Sequence, residues 1–351
     1  MAEKEVSFGI ELLPDDKPTK IAHLIKVAED NGFEYAWICD HYNNYSYMGV
    51  LTLAAVITSN IRLGPGITNP YTRHPLITAS NIATLDWISG GRAVIGMGPG
   101  DKATFEKMGM PFPCKVPIWN FESEDEVGPA TAIREVKEVI YEYLKGGPVE
   151  YEGDYVKTGT ADVNARSIQG DKIPFYMGAQ GPIMLKTAGE IADGVLVNAS
   201  HPKDFEEAIP HIEEGAKEAG RSLDEIDVAA YTCFSIDKDA DKAIEETKIV
   251  VAFIVMGAPD VVLERHDIDK EKAEQIAEAI GKGDFGKAIS LVDEDMIEAF
   301  SIAGDPDTVI DKIEELLKTG VTQVVVGSPI GPDKEKAIEL VGEEVIPHFK
   351  E

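Results

Sequence analysis

Positive charge is scarce in this 351-residue sequence. Lys and Arg number 33 against 63 Asp and Glu, a formal net charge of −30 at pH 7. No basic patch dominates such a surface, so nucleic acid and anionic lipid are excluded as expected partners. Glu-rich helix faces paired with Lys suit a salty or hot cell interior. Any anionic ligand must then be held by local donors against the overall field. Cysteine is scarce as well. Cys39, Cys114 and Cys233 form no C-x-x-C pair, and an odd count in a long chain points to a reduced, cytoplasmic setting. The seven histidines make no H-E-x-x-H or H-x-H set, so no metal is expected. G-x-S-x-G and P-loop motifs are also missing. No secretory leader is expected, because the N-terminus runs straight into a strand-like V-S-F-G-I-E-L. The longest apolar run, 249–258, is too short to span a bilayer.

What the chain does have is a repeat of strand followed by helix. Strands are expected at about 6–12, 35–40, 62–68, 93–98, 174–178, 194–198, 227–236 and 323–327. Long helical crossovers make them parallel, and eight such units predict a closed (β/α)8 barrel, one domain over 1–351. An open doubly wound sheet would carry a glycine fingerprint in its first turn, which here reads E-L-L-P-D-D-K-P. Two additions interrupt the repeat. Residues 104–128 hold three prolines and read as an insertion loop over one face, a lid or an interface. Residues 238–300 read as extra helices, broken at Gly257-Ala258-Pro259 and at 281–286.

In such a barrel, chemistry sits where strands end. Glu11 ends the first strand among apolar neighbours. A desolvated carboxyl favours its neutral, proton-donating form, which suits a general acid. The competing reading is a structural Glu paired with Arg or Lys across the barrel. Asp40 and His41 end the second strand. They are either polar partners for a ring edge, or a helix cap beside a surface imidazole. L-G-P-G-I-T-N-P, at 63–70, puts Pro65 and Gly66 inside a strand that should be central. A bulge that pushes backbone into the barrel mouth accounts for them and makes a flat backstop for a planar ring. A simple rim kink is the alternative. G-M-G-P-G-D, at 96–101, resembles a dinucleotide loop but has Asp101 in the third glycine position. Asp101 is a second carboxylate at the site or a solvated cap. M-G-A-Q-G-P, at 177–182, leads into a helix whose free N–H groups form an anion site, or simply makes a tight turn. Trp37, Trp87 and Trp119 read as core or interface residues.

Taken together, F-G-I-E, C-D-H-Y, L-G-P-G-I-T-N-P-Y-T-R-H-P, G-M-G-P-G-D-K-A, P-F-Y-M-G-A-Q-G-P and V-V-V-G-S-P carry a resemblance over essentially the whole chain. The sequence resembles the coenzyme F420-dependent methylenetetrahydromethanopterin reductases of methanogenic archaea, within the bacterial-luciferase-like superfamily of barrels. The resemblance implies coenzyme F420 as cofactor, no metal, and hydride transfer to the methylene carbon of methylenetetrahydromethanopterin in methanogenesis from CO2. It implies a non-prolyl cis peptide at Gly66-Ile67 behind the deazaflavin. Asp40, His41, Asn69 and Gly98 would line the ring and its side chain. Ala179, Gln180 and Gly181 would hold the phosphate, with Glu11 the main acid and Asp101 a supporting polar group. It also implies a homo-oligomer, dimer or tetramer, for which the apolar helix near 47–58 supplies a surface. Alternatives are another F420-dependent dehydrogenase acting on an alcohol or sugar phosphate, with the Asp40-His41 pair moving the proton; an FMN-dependent monooxygenase; and a non-catalytic flavin-binding barrel.

Overall fold

Side chains alternate across a strand, so a strand buried on both faces serves two layers. In the first strand, Phe8, Ile10 and Leu12 are buried against the surrounding helices, while Gly9 and Glu11 face the barrel interior. The computed structural model describes residues 5–111 and 127–350. Its strands are β1 (Ser7–Leu12), β2 (Tyr35–Ile38), β3 (Arg62–Pro65), β4 (Ile95–Met97), β5 (Phe175–Gly178), β6 (Gly194–Val197), β7 (Asp227–Ile236), β8 (Ile302–Gly304) and β9 (Gln323–Ile330). Seven helices run through the first half and centre: α1 (Pro18–Asp30), α2 (Tyr47–Ile57), α3 (Pro75–Ser89), α4 (Lys102–Lys107), α5 (Pro129–Lys145), α6 (Pro182–Ile191) and α7 (Pro202–Glu218). After β7 come α8 (Ala240–Gly257), α9 (Asp260–Arg265), α10 (Lys270–Gly281), α11 (Phe285–Leu291) and α12 (Glu294–Phe300), then α13 (Pro306–Leu317) and α14 (Lys334–Leu340).

All strand pairs are parallel, in the order β3-β2-β1-β9-β7-β6-β5-β4. The ends meet through bridges Leu63–Ala93 and Thr68–Met97, which close the barrel. The short β8 stands outside the ring on Phe234–Ile236 of β7. It is a ninth strand that the expected eight omit, because three residues carry no readable period. The helices α8–α12 pack around their own core of Val251, Val255, Leu263, Ile276, Met296 and Phe300. Lys102–Lys107 is helical, so the expected 104–128 insertion loop starts as helix; the part at 112–126, with Cys114 and Trp119, lies outside the described residues. Trp37 is buried inside the barrel, whereas Trp87 is 63% exposed on α3. No helix among the described residues is long and apolar enough to cross a membrane.

Three carboxylates pin loops to helices. Glu29 accepts the N–H groups of Ser59, Asn60 and Ile61, Asp86 those of Ile168 and Gln169, and Glu135 those of Asp154, Tyr155 and Val156. Burial pushes the Glu29 carboxyl up, but the three N–H donors and Lys26 outweigh it and bring it from 4.5 down to about 2. A depressed carboxyl stabilises the fold fully above its unfolded value and loses that contribution as pH falls through its folded value. Glu29→Ala should therefore cost about 1–3 kcal/mol at neutral pH. The gap between wild type and variant should close as pH drops from 4.5 to about 2, measured by denaturant unfolding across that window.

Candidate active site

The site is built on the point where β3 breaks. Pro65 ends the ladder, and the Gly66-Ile67 peptide bond is cis, as is Ser328-Pro329. The Gly66 N–H still donates to the Ile38 carbonyl at 2.9 Å. Its carbonyl turns into the barrel, where it accepts the Tyr231 hydroxyl at 2.8 Å and the Cys39 thiol at 3.2 Å. A Cβ on Gly66 would stand 2.5 Å from the Trp37 Cβ and 3.0 Å from the Tyr231 oxygen, so only glycine fits here. The ladder resumes where Thr68 N–H donates to the Gly96 carbonyl at 2.9 Å and Gly98 N–H donates to Thr68 at 2.9 Å.

Above this bulge, at the C-terminal ends of the strands, lies a cavity of ≈ 480 Å³. Asp40, His41, Gly66, Ile67 and Asn69 line one side of it; Asp101, Ala179, Gln180 and Gly181 line the other. Two expected residues do not reach the wall. Gly98 is covered: a Cβ there would lie 2.3 Å from Ile67 Cδ1, so this glycine makes room for Ile67, and its neighbours Pro99 and Gly100 face the cavity instead. Glu11 sits one layer below, 4% exposed.

One Glu11 oxygen accepts from the Ser328 N–H at 2.7 Å, and the other stands in hydrogen-bond contact with the Cys39 sulfur at 3.1 Å. The Arg or Lys partner of the structural reading is missing: among the described residues no ion pair reaches this carboxyl. Burial raises the Cys39 thiol well above its ordinary value, and the adjacent Glu11 adds to the effect, so the sulfur stays protonated. Burial, Cys39 and Glu11 push the Tyr231 hydroxyl up in the same way.

Asp40 is neither a free carboxylate nor a helix cap. It holds the Arg73 guanidinium through both oxygens, one contact being 2.9 Å, and accepts the Thr68 hydroxyl at 2.7 Å. Asn69 closes the same loop, its oxygen accepting the Tyr71 and Thr72 N–H groups at 3.0 Å each. Asp101 caps α4 by accepting the Thr104 N–H at 2.8 Å, so the solvated-cap reading holds while the residue also edges the cavity. At the opposite end, Gly181 begins α6 with no capping side chain and Pro182 in the first turn. A Cβ on Gly181 would meet nothing within 4 Å, so packing does not demand this glycine. The first-turn N–H groups of a helix have no intrahelical acceptor, and no side chain caps them here.

Residues 6–323 match the family described as luciferase-like monooxygenase. Over 347 residues, 99% of both chains, the sequence is 92% identical to the 5,10-methylenetetrahydromethanopterin reductase of Methanopyrus kandleri. It is 53% identical to the reductase of Methanolobus tindarius, over 97% of this chain and all of the other. The chain belongs to the luciferase-like family, among its methylenetetrahydromethanopterin reductases. The solved structure of the coenzyme F420-dependent tetrahydromethanopterin reductase from Methanopyrus kandleri superposes with a TM-score of 0.97, covering 98% of this chain and 99% of that one.

Within this family site, sequence reasoning missed Arg73, Cys39, Tyr231 and Ser328. Arg73 stood in the quoted N-P-Y-T-R-H-P run, and an unpaired cation one loop from Asp40 was the available signal. Cys39 enters the sequence reading through the redox setting and the C-D-H-Y run, with no role of its own at the site. Gly66→Ala tests the bulge: overpacking against Trp37 should lower stability by about 1–3 kcal/mol, seen as a reduced melting temperature. An unchanged melting temperature would mean that the bulge tolerates a side chain.

Proposed function

We infer that the chain is an oxidoreductase that reduces methylenetetrahydromethanopterin with coenzyme F420 in methanogenesis from CO2. Near-identity over the full length to a reductase of that name supports the reading. The observation in the site that carries it is a buried carboxyl without a counter-cation, Glu11, beneath a cavity whose far end is an uncapped helix N-terminus. A phosphate-bearing, flat cofactor suits those residues. Ala179, Gln180 and Gly181 would hold its phosphate through backbone donors, which a chain of net charge −30 requires in place of a basic patch. Gly66, Ile67, His41, Asn69 and the Asp40–Arg73 loop would wall its ring. When bound and reduced, coenzyme F420 supplies a hydride.

The protein's own task is the substrate's ring. Its five-membered ring must open to an iminium before the methylene carbon is electrophilic. Glu11 supplies the proton that turns the departing nitrogen into a good leaving group. Asp101 at the rim is a supporting polar group. The barrel fixes both reactants in one cavity and so makes the encounter effectively unimolecular. An F420-dependent alcohol or sugar-phosphate dehydrogenase would need the Asp40-His41 pair to move the proton. Asp40 is committed to Arg73 and Thr68, which disfavours that reading. The same proposal includes a cytoplasmic homo-oligomer, dimer or tetramer, joined where α2 and α3 expose Val56, Ile57, Ile77 and Trp87.

Anaerobic stopped-flow with reduced F420 and methylenetetrahydromethanopterin should show rapid appearance of oxidised cofactor. Glu11→Gln should slow it by about 10²–10⁴-fold with cofactor affinity unchanged. Equal rates would remove Glu11 from the acid's role, and no oxidation by wild type would overturn the reductase reading.

A further inference from the structure

The proton source and the cavity do not touch. Glu11 lies on the barrel's inner face below the floor, and the floor above it is made by Cys39 and Tyr231. The Cys39 sulfur stands 3.1 Å from the Glu11 carboxylate, 3.2 Å from the Gly66 carbonyl and 3.8 Å from the Tyr231 oxygen. Tyr231 donates its own hydrogen to the Gly66 carbonyl at 2.8 Å, which locks the ring against the bulge and holds the sulfur between Glu11 and the open space. A general acid acts within about 2.6–3.2 Å of its target or through one bridging group. Glu11 meets that condition toward Cys39; of the two floor residues with an exchangeable hydrogen, Tyr231 commits its own to the Gly66 carbonyl, which leaves the thiol as the link to the cavity.

We propose that Cys39 relays the proton of Glu11 to the substrate, with Tyr231 as its positioning residue. The proposal rests on the reductase reading. In the step, the thiol proton passes to the departing nitrogen while the Glu11 carboxyl proton passes to sulfur. The C–N bond breaks with its electron pair on that nitrogen, and the lone pair of the second nitrogen forms the C=N bond of the iminium. One proton has left Glu11, one positive charge has appeared on the substrate, and sulfur ends as it began, a neutral thiol. The carboxylate left behind keeps the Ser328 N–H at 2.7 Å, which stabilises its charge. The buried thiol's resistance to ionisation fits a group that carries a proton without ever resting as a thiolate.

The test compares wild type, Cys39→Ala and Cys39→Ser, each loaded with reduced F420, in single-turnover experiments run in mixtures of H2O and D2O. Cys39→Ala should lose about 10²-fold in rate with KM for the pterin and affinity for F420 unchanged. Cys39→Ser restores a hydroxyl at the relay position and should recover most of the rate. The wild-type rate should bend with deuterium fraction, as two protons in flight require. A Cys39→Ala enzyme at wild-type speed, a Cys39→Ser enzyme as slow as Cys39→Ala while F420 binds normally, or a linear deuterium dependence would each overturn the relay. An independent readout needs no turnover. The infrared S–H stretch assigned by its loss in Cys39→Ala should shift in Glu11→Ala apoprotein, and an unshifted band overturns the contact on which the relay depends. Wild type that binds F420 but never oxidises it with the pterin would instead defeat the reductase reading, with the infrared result left standing on its own.

Discussion

The structure turns on one carbonyl. Where β3 breaks after Pro65, the Gly66 oxygen points inward and collects the Tyr231 hydroxyl and the Cys39 thiol. Through Cys39 the contact reaches Glu11 on β1, and through Ser328 it reaches β9. Five residues from β1, the end of β2, the β3 bulge, β7 and β9 are thereby tied into one polar knot. Such knots are costly if any member is left unpaired, and its centre takes only glycine because a Cβ there would strike Trp37 and Tyr231. The rest of the cavity is arranged around that floor: the Asp40–Arg73 loop on one side, the start of α6 on the other.

The acidity of the chain shapes the ligand end of the same site. With −30 overall, a lysine cluster for an anion would be out of character, and the proposed cradle at the start of α6 uses backbone N–H groups in its place. Donors of this kind bind by direction and proximity, so they work inside a repulsive field and leave the surface free for its Glu–Lys pairs. Arg73 is near the site but is spent on Asp40, which makes it a brace for the loop that carries Asn69.

Much of this was legible before any coordinates. Period-two alternation in V-S-F-G-I-E-L turns Phe8, Ile10 and Leu12 outward, which leaves Glu11 facing in. Proline and glycine inside a central strand could only mean a break, and the break is where the cavity begins. The helix after Gly181-Pro182 started where capping rules put it. What could not be read were contacts between residues far apart in sequence. The Asp40–Arg73 pair spans 33 residues and the Glu11–Ser328 bond spans 317, and neither leaves a local trace. Gly98 misled for a related reason. Its small size serves the Ile67 side chain, a tertiary demand that looks in sequence like room for a ligand.

The central claim is that one cavity joins an anion cradle at α6 to a proton source under the β3 bulge. A crystal structure with oxidised coenzyme F420 bound tests it most directly. The account predicts the phosphate on the Gln180 and Gly181 N–H groups and the flat ring against Gly66-Ile67, with Cys39 left open toward the substrate. A phosphate held elsewhere, or a ring that sits away from the bulge or covers Cys39, would contradict it.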